Sequence, residues 1–135
     1  MSDPAPDPEA TLEDQVGHSV EITTEIISGK WKGKIIYILL RGTKRFGQLR
    51  KLLQTATQRS LTVQLRELER DGVIARKVYP EFPPKVEYSL TERGLELKNV
   101  IEAMWLWGKN LEAAQLHRQN GTMTTSDSEK SIPGE

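Results

Sequence analysis

None of the 135 residues is cysteine, which removes disulfide staples, thiolate zinc sites and thiol redox chemistry together. Histidine is almost as scarce. His18 and His117 stand far apart, too few to build an imidazole metal site, so neither a metal nor a cofactor is expected. Long apolar runs are missing too, since no stretch approaches the roughly 18–20 residues of a membrane span. The acidic, proline-bearing N-terminus lacks the basic and apolar regions of a secretion signal, and a cytoplasmic location is the default expectation. The phosphate-cradling patterns GxGxxG and GxxxxGK[ST] do not occur. Without a nucleophile–base pair or a metal constellation, no enzyme is expected.

What is present is an uneven distribution of charge beneath a net of zero. Residues 1–29 hold seven acids and no Lys or Arg, whereas residues 30–98 hold 16 basic and seven acidic side chains, a net of +9. Residues 99–135 hold three basic and five acidic, a net of −2. A folded middle this basic suits a polyanionic partner, because neutralising phosphates releases condensed counterions. A charge run is also what a solvated face shows.

The length allows one domain with a real core. It is expected over residues 15–117, between a disordered acidic arm (1–14) and a Thr/Ser/Gly-rich disordered tail (118–135). Val20, Ile22, Ile26 and Ile27 suggest a short first helix ending near Gly29. Trp31, Ile35, Ile36, Ile38, Leu39 and Leu40 make a second, largely buried one that stops at Gly42. Thr43–Phe46 fits a short strand. Gly47–Leu53 fits a third helix with Leu49, Leu52 and Leu53 inward, and the Gln54–Thr57 link has the length of the turn in a helix-turn-helix.

The stretch from Thr57 to Gly94 is the most informative. Thr57 can cap a helix by accepting an orphan backbone N–H. Leu61, Leu65 and Leu68 recur at four and three residues, giving one narrow apolar stripe. The reverse carries Gln58, Arg59, Thr62, Val63, Arg66 and Arg70, side chains that hydrogen-bond base edges or, for Val63, meet a thymine methyl. Asp71-Gly72 stops the helix, with Gly72 suited to the left-handed conformation past a helix end. Any surface helix shows a comparable division, and Arg66 could instead pair with Glu67 or Glu69. The period then switches to alternation. Ile74, Arg76 and Val78 face one way and Ala75, Lys77 and Tyr79 the other. After Pro80–Pro84 the alternation resumes from Lys85 to Leu90, which reads as an antiparallel hairpin with a proline-stiffened tip. Lys77 and Lys85 flank that tip.

Thr91 is expected to cap a last helix from about Glu92 to Leu116. Leu97, Val100, Ile101, Met104, Gly108 and Leu111 share an apolar face, with Trp105, Leu106 and Trp107 crowding its middle. That is more apolar surface than one small core covers, which points to a second chain. The same tryptophans could also complete the monomer's own core. The fold class is therefore mainly α with a small β-hairpin, a winged helix-turn-helix, dimeric through its terminal helices.

Two strings carry a resemblance: GKWKGKIIYILLRGTKRFGQLRK and LTVQLRELERDGVIARKVYPEFPPKVEYSLTERG. Gly29-Lys30-Trp31, Arg45-Phe46-Gly47-Gln48-Leu49, Leu65-Arg66-Glu67-Leu68, Gly72-Val73-Ile74 and Val86-Glu87-Tyr88-Ser89-Leu90-Thr91 stand in order. Over about residues 18–115 the chain resembles the HxlR family of bacterial transcriptional regulators. The resemblance implies a homodimer that binds double-stranded operator DNA, with a reading helix at Gln58–Asp71 and a wing tip near Glu81–Lys85. The DNA contacts expected from the reading helix are Thr57, Gln58, Arg59, Thr62, Val63 and Arg66, with Gln58, Arg59, Thr62, Val63 and Arg66 on base edges or nearby phosphates. Lys44, Arg45, Lys77 and Lys85 are expected on the backbone and neighbouring minor groove. Ile22, Ile26, Val100, Ile101, Met104, Trp105, Gly108 and Leu111 are expected at the dimer contact. The family usually has a cysteine shortly before the first helix, which several members use as a sensor; here the string is His18-Ser19-Val20-Glu21. Thiol sensing therefore does not carry over. A winged helix used only for protein–protein contact is the rival reading.

Overall fold

A computed structural model of the chain describes residues 11–123. Six helices and three strands run in the order α1 (Leu12–Ile27), α2 (Lys32–Leu40), β1 (Lys44–Arg45), α3 (Phe46–Leu52), α4 (Gln58–Arg70), β2 (Ile74–Tyr79), β3 (Lys85–Leu90), α5 (Glu92–Leu95) and α6 (Lys98–Met123). The chain divides into two compact units, one ending at Leu97 and one beginning at Lys98. No helix among the described residues is long and apolar enough to cross a membrane.

The core of the first unit draws on almost every element. Ile35 and Ile36 of α2, Leu49 of α3, Leu61, Leu65 and Leu68 of α4, and Val73 and Ile74 at the entrance to β2 are fully buried. Each leucine of the α4 stripe contributes about 1.5–3 kcal/mol through removal from water. The hairpin has the register the alternation implies, with Ile74 opposite Leu90 and Tyr79 opposite Lys85. The short strand β1 adds to the outer edge of β3, pairing Lys44 with Tyr88 and Arg45 with Glu87 in the order β1-β3-β2. Gly72 has a φ of +76° and turns the chain from α4 into β2.

Four expectations are corrected. Leu52 is exposed; Leu49 and Leu53, four residues apart, take the inward direction as α3 ends, and Leu52 points out between them. Helix α1 begins at Leu12, inside the segment expected to lack structure, because Thr11 and Asp14 form a capping box. At the other end α6 runs through Met123, past the expected tail boundary. The expectations for residues 1–10 and 124–135 lie outside the described residues.

The fourth concerns the last helix, which is two helices. Thr91 Oγ1 accepts from Gly94 N at 3.0 Å and donates to Gly72 O at 2.6 Å, so the first turn is pinned to the start of β2. Gly94 is buried there, and a Cβ at that position would overlap the Val73 carbonyl oxygen. The turn closes with a tight bond from Leu97 N to Gly94 O at 3.0 Å, and the helical ladder restarts at Lys98. Leu97 consequently belongs to the connection and not to the face of α6.

Candidate nucleic-acid interface

Helix α4 starts where the sequence places it. Thr57 Oγ1 accepts from Ser60 N at 3.0 Å, satisfying one orphan donor of the first turn. At 3.6 residues per turn, Arg59, Val63 and Arg66 lie opposite the leucine stripe, with Gln58 and Thr62 on its shoulder. Gln58, Arg59, Val63 and Arg66 are exposed and Thr62 is half-buried. Neither Arg59 nor Arg66 has a carboxylate partner among the described residues. Arg66 makes no ion pair with Glu67 or Glu69, and Glu67 pairs with Lys32 instead. Arg70, on the same side, is held by Asp71 at 3.3 Å.

Three contacts that local sequence patterns do not reveal fix the orientation of this face. Lys32, with its side chain 5% exposed, places Nζ 2.8 Å from Glu67 Oε1. A buried ammonium needs such a counter-charge, and Lys32 in turn holds the Glu67 carboxyl below the usual carboxylate range. The Trp31 backbone N–H donates to Gln64 Oε1 at 2.8 Å. Both tie the start of α2 to one flank of α4. On the other flank Arg50 of α3 donates from Nη1 to Gln58 Oε1 at 3.2 Å. None of Lys32, Gln64 and Arg50 is a sequence-predicted site residue. The only sequence signal is polar residues at helical spacing, which does not name its partner.

The hairpin presents two faces. Lys77, Tyr79, Lys85, Glu87 and, from β1, Arg45 share one of them by register. The Lys77 and Lys85 ammonium groups lie 4.8 and 4.7 Å from the centre of the Tyr79 ring. Lys85 Nζ also meets Glu87 Oε1 at 3.3 Å and is half-buried, so it is less available to an outside anion than Lys77. The Glu87 carboxyl is held below its ordinary range first by a hydrogen bond from Tyr79, then by Lys85 and by the charge of Arg45. Lys44 is half-buried with Nζ on the Gly42 carbonyl at 3.3 Å, and Arg45 is exposed. Phe82 at the tip is wholly exposed.

The residues expected at a chain–chain contact fall on two helices. On α1, Ile22 is exposed and Ile26 half-buried; no residue of that helix is buried, and Leu12, Val16 and Val20 form a bare stripe along it. On α6, Met104, Trp105 and Leu111 are exposed, as are Leu106 and Trp107, while Val100 and Gly108 are half-buried and Ile101 is buried. His18 and His117 are both exposed.

Comparison with known proteins agrees with this architecture. The model of the HxlR-like helix-turn-helix family matches residues 26–116. The HTH-type transcriptional regulator YdeP of Bacillus subtilis is 59% identical over 97 residues, which cover 72% of this chain and 76% of that protein. The HTH-type transcriptional regulator YybR of the same organism is 48% identical over 106 residues, covering 78% and 85%. Among solved structures, the redox regulator HypR in its reduced form matches with a TM-score of 0.70 at 46% identity, covering 73% of this chain and 98% of that one.

Proposed function

The chain belongs to the HxlR-like helix-turn-helix family of transcriptional regulators, and from that membership we propose that it acts as a homodimer reading a specific double-stranded operator. The observation that carries this reading is the open face of α4. Arg59 and Arg66 stand exposed there without carboxylate partners among the described residues, between Gln58 and Thr62 on one side and Val63 on the other. Arginine and glutamine in that setting hydrogen-bond base edges in the major groove, while Thr57 and the wing cations Lys77, Lys85, Lys44 and Arg45 meet phosphate and the adjoining minor groove.

The apolar surface of α1 and α6 supports pairing of two chains. Met104, Trp105, Leu106, Trp107 and Leu111 would otherwise stand in water along a single helix. Two-fold pairing gives two reading helices, which engage consecutive major grooves when their centres lie about 34–36 Å apart. Ile22 and Ile26 of α1, and Val100 and Gly108 of α6, are proposed for the same contact between chains. Sensing by thiol oxidation is not part of the proposal, because this sequence has no cysteine; the redox chemistry in the name of HypR belongs to that protein.

The test is a selection of bound duplexes from a randomised pool, followed by sedimentation of the complex. A two-fold symmetric consensus and a mass of two chains per duplex are expected. Recovery of no preferred sequence, with no binding to the pool even at low salt, would leave the protein–protein reading in its place.

A further inference from the structure

We propose that Lys30 and Lys34, both seated on the Trp31 ring, form a second phosphate grip, on the flank of α4 that faces the start of α2. The proposal rests on the reading of α4 as a major-groove helix. A helix lying in that groove is bordered by two phosphate strands, and its two flanks are what face them. Gln58 and Glu67 mark those flanks. They are nine residues apart, about half a turn at 3.6 residues per turn. Arg50 stands on the Gln58 side at 3.2 Å. The lysines of the α2 start stand on the Glu67 side, where Lys32 meets Glu67 at 2.8 Å.

The start of α2 is held tightly in that place. Gly29 runs so close to α4 that a Cβ would come within 3.0 Å of Gln64 Oε1, and the next N–H but one, that of Trp31, donates to the same oxygen at 2.8 Å. Trp31 itself is buried. The Lys30 and Lys34 ammonium groups lie 5.2 and 4.9 Å from its ring centre, and both residues are exposed. Both therefore approach an anion with part of their freedom already spent.

Beyond the Trp31 ring, no acid answers their charge among the described residues. Lys30, Lys32 and Lys34 crowd five residues, and α2 carries no acid in its first turn, where acids are favoured. Glu67 neutralises Lys32. Lys30 and Lys34 have no carboxylate partner among the described residues. Three like charges held together with one counter-charge are relieved by an external anion, and the phosphate strand beside α4 is the anion this placement fits. The contact is to backbone and carries no base preference.

The experiment measures affinity of the full chain for two labelled mixed-sequence duplexes of unrelated sequence across a series of salt concentrations. The variants are Lys30→Gln/Lys34→Gln, Lys30→Arg/Lys34→Arg and Lys109→Gln, the last removing a lysine over Trp105 that has the same local chemistry on α6. Each phosphate contact contributes about 0.9 to the slope of log affinity against log salt. The double glutamine variant is expected to lower that slope by about 1.8 per chain, equally on both duplexes, with the arginine pair restoring it and Lys109→Gln leaving it unchanged. Thermal unfolding of the glutamine variant, expected to match that of the parent chain, confirms that both are compared as folded proteins. An unchanged slope in that variant while the parent chain binds with strong salt dependence overturns the proposal and leaves the reading of α4 standing. An equal drop in Lys109→Gln overturns it too. A parent chain that binds neither duplex at any salt concentration overturns both.

Discussion

Replacing Arg59 by alanine isolates base reading from folding. Arg59 is exposed on α4, one residue inside the Gln58 start, and forms no ion pair with another described residue. Alanine is a good helix former, so the substitution neither removes a native contact nor strains the backbone. The stability change should stay within about 0.5 kcal/mol, as for surface positions free of special contacts. In the complex the position is expected to supply a bidentate contact to a guanine edge. Losing it should cost about 1–3 kcal/mol, and more when both half-sites are affected. That range corresponds to roughly 5- to 150-fold in affinity. The assay is competition binding between the selected operator and duplexes altered at one base pair per half-site. Arg59→Ala should bind the parent operator more weakly and lose discrimination at one position only. Arg59→Lys should recover part of the affinity through charge and little of the discrimination, because an ammonium cannot reproduce the guanidinium fork. Unchanged affinity together with unchanged preference would refute the assignment of the α4 face.

The remaining predictions concern the parts that hold or flank that face. Leu65→Ala removes a fully buried side chain beneath α4 and should cost about 2–5 kcal/mol, read as a lower urea midpoint with an unchanged slope. The Glu67 carboxyl is held below the ordinary carboxylate value by the Lys32 ammonium. Its contribution is fully present above that value and is lost as pH falls through the lower folded value, so the stability gap between the parent chain and Glu67→Gln should close on acidification; a gap that persists in strong acid would contradict the pairing. Glu87→Gln releases Lys85 from its carboxylate partner, and affinity for duplex of any sequence should rise; a fall would mean that Glu87 orders the wing for binding. Trp105→Glu/Trp107→Glu places charge on the exposed middle of α6 and should convert a sedimenting dimer into a folded monomer.

Much of this architecture can be read from residue order, and the reasons differ by element. The α4 stripe is legible because three leucines at helical spacing have one inward direction, and the hairpin because strict alternation admits one register. Gly72 marks its turn for a conformational reason that does not depend on the rest of the fold. The contacts that aim α4 are of another kind. Gln64 on the Trp31 amide spans 33 positions, and Lys32 on Glu67 spans slightly more. Neither is encoded in a local period, so the glutamine and the lysine that tie the helices together carry no mark of that role in the sequence. The division of the last helix is hidden for a similar reason. Gly94 is permissive in any context, and only its contact with the Val73 carbonyl makes it obligatory. Lys85 shows the converse. Its position on the wing follows from the alternation, and so does its ion pair with Glu87, which stands two residues along the same strand and on the same face.

Whether α4 enters the major groove is tested most directly by chemical protection of the bound operator with dimethyl sulfate, which methylates guanine N7 in the major groove and adenine N3 in the minor groove. The expected result is guanine N7 protection in two patches, centred about 10–10.5 base pairs apart, and loss of protection at one guanine per patch in Arg59→Ala. Full N7 reactivity throughout a saturated complex would contradict the account.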